Sequence, residues 1–203
     1  MLLALAAASF AMFALPSAAS AQEIHWTTVS GTITLIAESE PTITCESATA
    51  TATPSGGGTT GSISFDVTGC HTSIFGITAK CHTTGSPLDN TVAAKGTYHL
   101  ITQGGSPAML ITAEPVVGIC AGISNTTIQG NVIGTITSPA CGVESRTMKI
   151  SLSAAGSTQS DMEYTGVKYD LTATTGESGT AKTAGLTATV TVELASTGKL
   201  ECT

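Results

Sequence analysis

Two Cys-His dipeptides, Cys70-His71 and Cys81-His82, stand on either side of a short loop containing Gly76. In type and number, two thiolates and two imidazoles make up a tetrahedral zinc set. Neighbouring residues on a strand point to opposite faces, however, so each dipeptide turns one of its two ligands away. The same cysteines also belong to a set of six: Cys45, Cys70, Cys81, Cys120, Cys141 and Cys202. In a chain bound for an oxidising compartment, an even number reads first as a disulfide framework. Sequence leaves the connectivity open. Spacing prefers Cys70 with Cys81 and Cys120 with Cys141, each closing a local loop. Cys45 with Cys202 would then tie an early strand to the end of the chain. No metal and no cofactor are expected.

Other candidate chemistry is weaker. Ser196-Thr197-Gly198-Lys199 has the Ser-x-x-Lys spacing of a serine acyl-transfer site. In such sites the serine opens a helix, which brings the lysine one turn away; here the run reads as a turn between two strands. There is no Gly-x-Ser-x-Gly elbow, and His25, His71, His82 and His99 stand beside no recognisable partner. Asp161-Met162-Glu163, followed by Gly166, offers paired carboxylates but departs from the EF-hand pattern and reads as a solvated hairpin. Gly56 to Gly58 precede no helix, which removes phosphate cradling. Threonines recur at strand period in Thr32-Ile-Thr34, Thr42-Ile-Thr44, Thr49 to Thr53, Thr135-Ile-Thr137 and Thr187 to Thr191. Aligned on one flat face, they would present a regular surface to ice, glycan or cell-wall polymer. Threonine equally suits the exposed face of any strand, and that reading is preferred. Asn125-Thr126-Thr127 is a glycosylation sequon, meaningful only in a eukaryotic host.

The segments that would carry this chemistry follow an export signal. Leu2 to Leu15 is apolar and uncharged, Pro16 follows, and Ala19-Ser20-Ala21 is a cleavage site of Ala-x-Ala type. The run is shorter than the about 20 residues that span a bilayer. No Lys or Arg precedes it, so the true start is expected upstream, or the sequence is truncated. Residues 1–21 are therefore expected to be a signal peptide and 22–203 a single domain, secreted or at the cell surface. No later stretch is apolar enough to span a membrane. The net charge is −7, yet charged residues are only 10% of the chain, a balance that disfavours nucleic acid and anionic lipid as partners. Aromatics are 4%, so a core of Val, Ile, Leu and Ala is thin for its length and gains from covalent staples.

Strand period dominates the mature chain. Leu186, Ala188, Val190, Val192 and Leu194 alternate with Thr and Glu; Met148, Ile150 and Leu152 alternate with Thr, Lys and Ser. Ile63, Phe65 and Val67 form another such set, as do Val167, Tyr169 and Leu171. The glycines of Ile128, Gly130, Val132, Gly134 and Ile136 mark close packing or a bulge. Strands are also expected over 28–37, 42–53, 97–102 and 108–113. The second of these buries either Ile43 and Cys45 with Ser47, or, through a bulge near Ser47, Ala48, Ala50 and Ala52. Roughly nine to eleven strands with short polar turns predict an all-β fold. Its form would be an antiparallel β-sandwich or closed β-barrel of about ten strands, stapled by disulfides.

Thr42-Ile-Thr-Cys45, Gly61-Ser-Ile-Ser-Phe-Asp-Val-Thr-Gly-Cys70 and Gly130-Asn-Val-Ile-Gly-Thr-Ile-Thr-Ser138 resemble segments of uncharacterised secreted all-β proteins common in high-GC actinobacteria. The resemblance implies a bacterial, extracellular setting; it implies no activity and no functional residue. A non-catalytic domain with a binding or structural role is the leading expectation, its partner a cell-wall polymer, a glycan or another surface protein. A lipocalin-like carrier of a small apolar ligand is the second, and a secreted hydrolase the third.

Overall fold

Alternating apolar and polar residues become strand almost throughout. The computed structural model describes residues 24–28, 32–55, 59–84, 86, 90–121, 125–139, 143–159, 163–176 and 179–199. The first strands are β1 (Ile24–Thr28), β2 (Ile33–Ala37), β3 (Ile43–Cys45), β4 (Ser47–Ser55), β5 (Thr60–Thr68) and β6 (His71–Ile74). Next come β7 (Ile77–Thr83), β8 (Val92–Gln103), β9 (Ser106–Cys120), β10 (Thr126–Ser138) and β11 (Glu144–Leu152). Four short strands follow: β12 (Ala154–Ala155), β13 (Thr158–Gln159), β14 (Glu163–Tyr164) and β15 (Val167–Lys168). The last are β16 (Leu171–Thr175) and β17 (Lys182–Lys199). No helix occurs among the described residues.

Thirteen strands form one antiparallel sheet, and the sheet closes on itself. Around one end, hydrogen bonding runs β1-β4-β5-β8-β9-β10-β11-β17 and returns from β17 to β1. Around the other it runs β2-β3-β6-β7-β9-β10-β16-β17 and returns to β2. The two rings are the two halves of the same eight bent staves, each stave pairing with its neighbour in sequence and the last with the first. Of the two expected architectures, the pairing realises the closed barrel, in up-and-down order.

The count exceeds ten because staves break at the barrel's waist. β3 and β4 are separated by Glu46 alone, whose N–H donates to the Thr68 carbonyl at 3.0 Å. That extra residue is the bulge anticipated near Ser47: Cys45, Ala50 and Ala52 are all buried. In β9 the register against β10 slips between Ile128 and Gly130. The slip lies opposite Glu114 and Pro115, a position where a missing N–H is tolerated. Gly130 has φ +115° at this slip, and a Cβ on Gly134 would sit 2.5 Å from the Ile150 side chain. A Cβ on Gly130 would also meet the Asp170 carbonyl, so the expected bulge and close packing coincide at Gly130 and close packing recurs at Gly134. Two expected strands are broken in the structure. The run 28–37 is broken at Thr32, which belongs to no strand, and Val167 to Leu171 is divided between β15 and β16.

Packing differs along the barrel. In the half that contains β1, Tyr98, Met109, Ile63, Ile136, Met148 and Ile150 fill the interior. Outside the wall, Ile101, Ala108, Leu110 and Ile133 form a second small core capped by Tyr164 and Tyr169. These rings come from the segment between β11 and β16, whose hairpins β12–β13 and β14–β15 fold back over the barrel. Glu163 and Gly166 therefore do belong to a hairpin, as expected of that acidic run, while Asp161 lies outside the described residues.

Candidate functional site: an apolar cavity inside the barrel

Cys45, Cys70, Cys81 and Cys120 form a row across four adjacent staves, all buried. Disulfides join Cys45 to Cys70 and Cys81 to Cys120. This corrects the expected pairings of Cys70 with Cys81, Cys120 with Cys141 and Cys45 with Cys202. Cys141 and Cys202 themselves lie outside the described residues, as do residues 1–21. The physical reason is the alternation of an antiparallel ladder. The Cys81 N–H donates to the Cys70 carbonyl at 2.8 Å, while the Cys70 N–H turns to the Asn90 carbonyl at 3.0 Å, so that pair stands in the wide, hydrogen-bonded phase of the ladder. The bridged pairs occupy the close, non-hydrogen-bonded positions, with Cα atoms 4.0 and 4.1 Å apart. With its sulfur in a disulfide, neither Cys70 nor Cys81 offers a thiolate to zinc, and the His71 ring instead lies 3.0 Å from the Gly69 carbonyl.

Towards the β2 half, the interior opens into a cavity of about 180 Å³. Every one of the eight staves contributes to its wall, and every lining residue is apolar or glycine. The space exists because inward positions at the waist carry small residues: Ala48, Ala94, Ala113, Gly118, Gly130 and Ala188. An eight-stranded barrel is just wide enough for large side chains to fill it or for one small ligand to replace them. Leu35 and Ile43 close the cavity at the end built by β2, β3, β6 and β7. Both also line a second, water-sized pocket of about 20 Å³ with Glu40, Pro41, Thr72 and Cys120. Glu40 carries the Lys182 ammonium at 3.8 Å, and the Thr72 hydroxyl donates to the Thr42 carbonyl at 2.8 Å. The opposite end is closed by the packed side chains around Tyr98.

No protein-family model matches this chain, and no curated protein and no solved structure is similar to it.

Among the described residues the remaining candidates do not converge on a site. Ser196 to Lys199 continues β17 rather than forming a turn, and it opens no helix. His99 stacks edge-on against Tyr164, with ring centres 6.4 Å apart. Threonine ladders do meet across strands: Thr44, Thr34 and Thr187 occupy one row of β3, β2 and β17. They lie on a barrel wall, not on the flat face that an ordered lattice would require. Among the described residues, no cluster of His, Cys, Asp and Glu is arranged to hold a metal, and no helix is long and apolar enough to cross a membrane. The cavity was the feature sequence could not show. Its signal was alanine and glycine at inward positions of neighbouring strands, legible only once register is known.

Proposed function

We propose that this chain is an exported, non-catalytic binding protein whose barrel carries one small, uncharged, apolar molecule. The cavity is the single observation that carries this reading. At roughly 24 cal/mol per Å³, leaving about 180 Å³ empty costs about 4 kcal/mol. That is comparable with the net stability of a whole domain. A wall without polar side chains cannot recompense an acid, an amine or a sugar for its lost hydration. It selects by size and shape, for a hydrocarbon or small ring of about six to ten non-hydrogen atoms. The apolar run from Leu2, the Ala19-Ser20-Ala21 site and the two disulfides support a site of action outside the cell or at its surface.

Calorimetric titration of the oxidised mature chain with benzene and naphthalene, alongside solvent extraction of the natively secreted protein, tests the reading. One saturable site that raises Tm is the expected result. Failure of every hydrocarbon in the series to bind would sink it. The row formed by Thr44, Thr34 and Thr187 favours, as a second reading, a glycan or cell-wall polymer on the outer wall. Retention on such a polymer, undisturbed by filling the cavity, would select that reading.

A further inference from the structure

The hairpin of β6 and β7 extends beyond the barrel. Among the described residues its outer rungs, Ser73 with Thr78 and Ile74 with Ile77, have no neighbouring strand: β3 reaches only Thr72 on one side and β9 only Cys81 on the other. Phe75 and Gly76 make the turn, with φ of 49° and 80°. Two successive positive φ values define a turn that Asn and Gly serve best and a bulky aromatic serves poorly. Phe75 is nevertheless there, fully exposed, and Ile77 beside it is 72% exposed. Among the described residues, nothing covers Phe75 and little covers Ile77. Strained, exposed side chains of this kind concentrate where a molecule meets something else.

Charge and position indicate what that is. The chain has 14 acidic and 7 basic residues, yet between Asp66 and Asp89 the one formal charge is Lys80. Lys80 faces His71 across the hairpin, three rungs or about 10 Å behind the tip. An uncharged apolar tip with a single lysine set back by this distance matches the depth of a phospholipid interface, where phosphates lie above the acyl boundary. Whole-chain acidity disfavours anionic lipid; this finger is where that average does not hold. The finger also stands at the barrel end that carries the water-sized pocket behind Leu35 and Ile43. Each of its legs is fixed to the barrel by one disulfide, through Cys70 and through Cys81.

We infer that the β6–β7 hairpin is a docking finger that inserts Phe75 and Ile77 into a phospholipid interface and sets the mouth of the barrel against it. The inference deepens the cavity reading and rests on it for the reason an apolar cargo would be exchanged there. Flotation of the oxidised mature chain with phosphatidylcholine vesicles, with and without added phosphatidylglycerol, tests it against F75N/I77T. Those replacements suit a hairpin turn and an exposed strand, so the variant is expected to melt at or above the wild-type Tm. Wild type should float with both vesicle types, and F75N/I77T should lose at least five-fold of the bound fraction. Naphthalene binding without vesicles should be equal in the two proteins, which reports the cavity separately. Wild type remaining in the aqueous phase would overturn the inference, as would equal flotation of the variant. Self-association abolished by F75N/I77T, in a chain that does not float, would overturn it in favour of a second copy as the partner.

Discussion

Tyr98 shows how one side chain ties the closed end of the barrel to pH. Its ring lies in the interior core, and burial pushes its hydroxyl up to about 12 from 10.0. Below pH 10 the folded and unfolded chains both keep this proton, so Tyr98 adds no pH dependence there. Above it the unfolded chain ionises while the barrel holds the neutral phenol, and stability declines as pH rises from 10 towards 12. Urea midpoints measured from pH 8 to 12 should therefore fall in that upper window. Tyr98→Phe should make the fall shallower, by on the order of 1–2 kcal/mol at the alkaline end. Unchanged alkaline sensitivity in the variant would place the titrating group elsewhere.

At the scale of elements, a side chain takes the place of a missing stretch of strand. The stave neighbouring β17 passes from β11 to β16, leaving β17 without a partner on that side between Ala184 and Ala188. Gln159, buried in the β12–β13 hairpin, fills the gap. Its Oε1 accepts from the Leu186 N–H at 2.8 Å, and its Nε2 donates to the carbonyls of Leu186 at 3.1 Å and Ser153 at 2.7 Å. An amide can do this because it carries a donor and an acceptor side by side, as a peptide does. Gln159→Leu conserves volume but orphans those groups, and should cost about 2–4 kcal/mol in chemical denaturation. A loss below about 0.5 kcal/mol would show that water substitutes freely.

The same scale marks where sequence stopped being informative. Alternation located β5, β11 and the inner rungs of β17, because a half-buried strand leaves a period of two in any sequence. It could not locate the closure, since β1 meets β17 across nearly the full chain length. Nor could it choose disulfides: Cys70 and Cys81 do face each other, as their spacing suggested. Whether a facing pair is wide or close depends on ladder phase, which no spacing records. Gln159 carried no signal at all, its role being defined only by a gap in another strand.

For the whole molecule, the closed and open halves of one barrel separate stability from binding. Large side chains around Tyr98 fill one half, while alanines and glycines leave the other hollow, so a change in the hollow half can remove binding without removing the fold. Ala113 is the position to change. It lines the cavity and is flanked in register by Gly96 and Gly130, so a longer side chain has no large neighbour within its row to displace. Ala113→Leu should occupy part of the void and stabilise the ligand-free barrel by about 1–2 kcal/mol, the cavity term run in reverse. Its affinity for naphthalene should fall at least ten-fold, and the rise in Tm that the ligand gives wild type should shrink with it. The two effects have opposite signs, a combination that general damage to the fold cannot produce. If Ala113→Leu instead destabilises the chain and binds naphthalene as wild type does, the hollow is not the binding site, and the outer wall with its threonine rows becomes the surface to probe.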